Sequence, residues 1–110
     1  MKQITLTDSN FKKLGKLKKS TIRLGVKDYM VGRTEIVNVE THEKVPCFIR
    51  NIELITVREL DHCHAMRDGF HSLGELLKEL RKHYGTLKPD DWVTVVSFSA
   101  KTPKPYGDTP

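Results

Sequence analysis

Apolar and polar positions alternate along several stretches of this chain and recur at helical spacing along others. Residues two apart share a face of an extended chain, and residues three or four apart share a face of a helix. Within residues 18–25, Ile22 and Leu24 suit a core, so Thr21 and Arg23 turn to the opposite, polar side. Residues 34–40 are rich in β-branched side chains and predict a strand. Residues 41–44 read as a polar hairpin turn. Residues 45–57 open with Val45, Cys47 and Ile49 on one face and continue with Ile52 and Leu54 on the other. That change of phase predicts a bulge near Arg50 and Asn51, and Pro46 fits a strand start or edge. Residues 92–98 are apolar on both faces, the pattern of a central strand. Residues 2–6 give a short strand or an ordered arm.

Helical spacing appears first in Phe11, Leu14 and Leu17, after a cap at Asp8 or Ser9. It predicts a short helix ending near Leu17, weakened at Gly15 by roughly 1 kcal/mol relative to alanine. Residues 26–33 form a loop with Gly25 and Gly32 as its turn points. Residues 61–67 make a short helical turn closed by Asp68 and Gly69. The clearest helix follows: Leu73, Leu76, Leu77, Leu80 and Tyr84 form its stripe, Ser72 and Glu75 a capping box, and Gly85 its end. The hairpin turn and the phase change favour an antiparallel, strongly curved sheet, and no run of strands alternating with helices suggests a parallel α/β sheet. The order predicts an α+β fold, a small curved β-barrel with helices covering its openings. Residues 1–100 form one domain. Residues 101–110 hold three prolines and no apolar pattern, and read as a flexible tail.

A chain of 110 residues can bury one real core. With 37% hydrophobic and 30% charged residues it reads as a soluble globule. No apolar run approaches the ~18 residues of a membrane span, and the N-terminus has no signal-peptide pattern. The expected location is cytoplasmic, with no membrane partner, and Cys47 and Cys63 as free thiols. The net charge of +5 is uneven. Residues 9–27 carry Lys12, Lys13, Lys16, Lys18, Lys19, Arg23 and Lys27 without an acid, so the rest of the chain is slightly acidic. A stretch of one sign attracts polyanions, nucleic acid above all.

Lys18 precedes the strand that carries Thr21 and Arg23, so an amine, a hydroxyl and a guanidinium converge. Such a group can hold a phosphate or a carbonyl oxygen, and the amine can activate the hydroxyl. The plainer reading is a basic loop entering an edge strand. His62-Cys63-His64 lacks a paired cysteine motif and reads as a polar helix surface; no metal and no cofactor is called for. His71 lies in the turn before the capped helix and lines a pocket or faces solvent. Trp92 and Phe98 fit core packing better than base stacking.

The pattern Lys18-x-x-Thr21-x-Arg23, the run Ala65-Met66-Arg67-Asp68-Gly69-Phe70-His71-Ser72-Leu73-Gly74-Glu75-Leu76 and the closing strand 92–98 together resemble an ASCH domain. That family is a branch of the PUA-like barrel superfamily, and the resemblance spans about residues 10 to 99. It implies a mixed β-barrel and a function on RNA. The chain is most similar to the small stand-alone members, some of which hydrolyse the acyl amide of N4-acetylcytidine while others are reported as ribonucleases. In the amidohydrolases a lysine, a threonine and a glutamate carry the chemistry. By motif these fall on Lys18, Thr21 and Asp68, and the aspartate departs from the family by one methylene. The resemblance therefore implies RNA or a modified, acylated cytidine nucleoside as partner, in a basic cleft at the barrel mouth. Arg23, Lys12, Lys13, Lys16, Lys19 and His71 are the binding candidates. Hydrolysis by Lys18, Thr21 and Asp68 is the alternative, and a protein-interaction domain with an incidental basic face the third. The sequence does not set the oligomeric state.

Overall fold

The computed structural model describes residues 2–15 and 17–100. The elements run β1 (Ile4–Leu6), α1 (Asp8–Phe11), β2 (Ser20–Leu24), β3 (Gly32–Asn38) and β4 (Lys44–Thr56). A 3-10 turn (Val57–Glu59), α2 (His62–Arg67), α3 (Leu73–Tyr84) and β5 (Trp92–Ala100) complete them. The strands form one mixed sheet in the order β1-β3-β4-β5-β2, curled into a half-barrel. β1 runs parallel to β3 and the other neighbouring pairs are antiparallel. A parallel pair needs a long crossover, and here that crossover holds α1 and β2. The two edge strands, β1 and β2, face each other across the open side, where the Arg23 guanidinium donates to the Thr5 carbonyl.

Two hydrophobic cores lie on the two faces of this sheet. Ile4, Leu6, Phe11, Leu14, Ile36, Val45, Cys47, Ile49, Val96 and Phe98 fill the first. Ile22, Ile55, Leu60, Ala65, Leu76, Leu80, Val93 and Val95 form the second, against α2 and α3. β5 serves both, which is why its sequence is apolar on both faces. β4 also serves both, and its register slips between Ile49 and Asn51. The bulge re-aims the strand, so that Ile49 belongs to one core and Ile55 to the other.

Three local expectations need correction. The first helix is only four residues long, and Leu17 is 53% exposed rather than packed. Gly15 takes a positive φ of 81°. The amides of Leu17 and Lys18 both donate to the Lys13 carbonyl at 3.0 and 2.9 Å, so the chain turns instead of continuing as a helix. Trp92 is 50% exposed, because it pairs with Thr56 at the very end of β4. The capping box of α3 is half made: Ser72 Oγ accepts from the Glu75 amide at 3.1 Å, but Glu75 Oε1 accepts from His71 N at 3.4 Å. Lys16 and the proposed tail, 101–110, lie outside the described residues. No helix among the described residues is long and apolar enough to cross a membrane.

Candidate functional site

Side-chain alternation along β2 does what the sequence requires of it. Ile22 and Leu24 pack toward the second core, and Thr21 and Arg23 line a cleft on the other side. The cleft, about 200 Å³, opens between the edges of β1 and β2. Asp68 and Phe70 enter from the turn after α2, and Glu79, His83 and Tyr84 from the last turns of α3. Gly69 makes this turn possible, with a φ of 91° that a side chain would rarely adopt. A Cβ there would also stand 3.1 Å from Lys13 Cδ and 3.5 Å from Lys18 Cβ, so the turn runs directly over the basic loop.

Lys18 lies under the floor of the cleft rather than in its lining. Its amine donates to the Asp68 carboxylate and, at 3.4 Å, to the Asp68 carbonyl. Both side chains are almost fully buried, and backbone pairing between Lys18 and Asp68 fixes them further. The amide of Lys19 donates to the Arg67 carbonyl at 2.6 Å. Burial pushes the Lys18 amine below its ordinary value of 10.5, against the pull of Asp68. Burial likewise pushes the Asp68 carboxyl above 3.8, with Lys18 opposing. Desolvation thus favours the neutral form of each partner.

The remaining candidates are spread more widely. Lys13 Nζ sits 4.3 Å above the Phe70 ring, at the cleft rim. Lys12 pairs with Asp8 at 2.9 Å on the surface. Lys19 is exposed beside the bridge to Arg67, and His71 is exposed outside the cleft lining. The structure therefore brings Thr21, Arg23 and Asp68 together with Lys18 beneath, and leaves Lys12 and His71 apart. Asn10, Glu79, His83 and Tyr84 were not legible as cleft residues. His83 and Tyr84 follow Glu79 and Leu80 by four residues, a spacing that puts each pair on one helix face; His83 Nε2 lies 3.0 Å from Glu79 Oε2. Which face meets the cleft is decided by how α3 docks.

No family model matches the chain, and no curated protein matches it. Solved structures do. An ASCH domain from Lactobacillus crispatus JV V101 superposes with a TM-score of 0.64 at 15% identity, over 76% of this chain and 64% of that one. Protein EF3133 from Enterococcus faecalis V583, of family DUF984, gives a TM-score of 0.55 at 14% identity, over 77% of this chain and 61% of that one. The chain spans less than two thirds of the length of either structure. The half-barrel and its flanking helices are thus an ASCH-type fold, as the motifs imply.

Proposed function

We propose that this protein binds RNA or a modified cytidine nucleoside in the cleft between β1 and β2. The observation that carries this reading is the convergence of Thr21, Arg23 and Asp68 on one recess of about 200 Å³. Sites for drug-sized ligands run to roughly 300–1,000 Å³, so this recess suits a single base or sugar and excludes a duplex. Each lining group has a task a nucleoside needs. Asp68 accepts from an exocyclic amine when ionised and donates to a ring nitrogen or carbonyl when protonated. The Thr21 hydroxyl does either. Arg23 holds a carbonyl or phosphate oxygen, and Phe70 and Tyr84 offer ring faces for stacking. The test is calorimetric titration with N4-acetylcytidine, cytidine and uridine. N4-acetylcytidine is expected to bind most tightly, and Thr21→Ala to weaken it by about tenfold, the value of one hydrogen bond lost in a desolvated site. Equal affinity for all three, or no response to Thr21→Ala, would sink the reading.

Hydrolysis of the acetyl amide is the second reading, favoured by the burial that depresses Lys18. A neutral amine takes the Thr21 proton while Oγ attacks the acetyl carbonyl, with Arg23 stabilising the oxyanion. Collapse breaks the C–N bond, the amine leaves with a proton from Asp68, and water releases acetate from Thr21. Binding is preferred because the Lys18 amine is engaged by Asp68 and stands behind it. Acetate release on mixing with N4-acetylcytidine, lost in Thr21→Ala and kept in Asp68→Glu, would select hydrolysis over binding alone.

A further inference from the structure

The outward face of the sheet carries a second surface of different chemistry. Phe48 on β4 stands in register between Arg33 on β3 and Ser99 on β5. Its neighbours in sequence, Cys47 and Ile49, point into the core, which forces the Phe48 ring to the outside. The ring is 41% exposed and belongs to neither core. Arg50, just before the bulge, holds its guanidinium 5.8 Å from the ring centre and donates through Nε to Ser99 Oγ at 2.5 Å. These residues line an open groove of about 700 Å³, larger than the cleft. Among the described residues no carboxylate lines it, and Glu35, the acid on β3, accepts instead from Gln3 at 3.0 Å.

We infer that this groove is a stacking platform for an unpaired nucleotide of single-stranded RNA. A base lies on the face of Phe48, and Arg33 and Arg50 take the flanking phosphates. An exposed ring with an arginine opposite it on β3 and another two residues on along β4 fits this occupant. Every base offers a π-face, and the backbone supplies the negative charge the arginines lack. A duplex keeps its bases stacked on one another and offers the ring nothing. The inference rests on the proposal that the protein binds RNA. It adds a second contact, remote in chemistry from the hydrogen-bonding cleft.

Fluorescence anisotropy with a labelled single-stranded ten-nucleotide oligouridine, a duplex of equal length as control, and free N4-acetylcytidine in parallel separates the two sites. Phe48→Ala should weaken the single strand by about tenfold, within the range set by one lost base stack. Phe48→Tyr should retain affinity, and the duplex and the free nucleoside should be unaffected by either. Arg33→Ala and Arg50→Ala should each lower the salt slope by about 0.7, one phosphate on a single strand. Single-strand affinity that is the same for Phe48→Ala, Phe48→Tyr and the unaltered protein overturns the platform while leaving the cleft intact. So does an oligonucleotide that fails to bind a protein still able to bind N4-acetylcytidine. Loss of nucleoside binding in Thr21→Ala, with single-strand binding still dependent on Phe48, supports the platform independently of the cleft.

Discussion

At the scale of single residues, the buried contact between Lys18 and Asp68 bears on the stability of the fold and, in the proposed reading, on the chemistry of the cleft. Taking two charges out of water is costly, and their attraction offsets that cost only while both are present. Lys18→Ala should therefore destabilise the fold by about 3–5 kcal/mol, whereas replacing both together, Lys18→Met with Asp68→Leu, should recover most of the loss. The pH dependence follows from the two shifts. Asp68 is raised above 3.8, so its contribution is full below that value and is lost as pH rises through its native pKa. Lys18 is lowered below 10.5, so its contribution is full above that value and is lost as pH falls through its native pKa. The stability of the protein relative to the double variant should then pass through a minimum between these limits and rise toward both. Urea unfolding at pH 4, 7 and 10 measures it, and a constant difference would show that the native pair titrates as the unfolded chain does.

At the scale of elements, α3 is held by two residues of its stripe more than by the rest. Leu76 and Leu80 are 1% and 4% exposed, while Leu73 and Leu77 only flank the second core. Truncating either buried leucine to alanine should cost about 2–5 kcal/mol. Leu17→Ala should stay within about 0.5 kcal/mol, as expected of a surface position. Because α3 also delivers Glu79, His83 and Tyr84 to the cleft, Leu80→Ala should weaken the proposed nucleoside binding as well as stability. Denaturant unfolding of the three variants tests the packing, and equal losses at Leu17 and Leu76 would reverse the assigned face. The turn at Gly69 couples the elements: alanine there meets both a positive φ and Lys13 at 3.1 Å. It should loosen the cleft even where the domain stays folded.

At the scale of the whole molecule, the basic stretch from 9 to 27 is less uniform than its composition suggests. Lys18 is buried against Asp68 and Lys12 is paired with Asp8. Arg23 lines the cleft, Lys13 sits over Phe70 at its rim, and Lys19 is exposed beside the bridge to Arg67. If this stretch meets RNA as proposed, Lys13→Ala and Lys19→Ala should each reduce the salt slope of single-strand binding by about 0.7, and Lys12→Ala by less. A titration from low to moderate salt decides this, and unchanged slopes in all three would move the phosphate contact elsewhere. Binding that ignores salt altogether would favour a protein partner instead.

The sequence by itself determined what depends on neighbours along the chain. Alternation placed Thr21 and Arg23 opposite Ile22 and Leu24, and the phase change at Arg50 and Asn51 marked the bulge in β4. Glycine at 85 ended α3, and the turn at Asp68 and Gly69 closed α2. These signals are local because side-chain direction follows from backbone geometry over a few residues. Tertiary structure alone decided the rest. It placed β1 parallel to β3 through a crossover, stopped α1 short of Leu17, and left Trp92 outside the core. It also set the buried Asn38 amide to donate to Asp8 Oδ1 at 2.9 Å and accept from the Glu40 amide at 2.9 Å, tying α1 to the β3–β4 turn. Above all it carried Asp68 fifty residues along the chain to Lys18. Desolvation arises only when both have been buried, so neither the shifted protonation of the pair nor the cleft above it is written in local spacing.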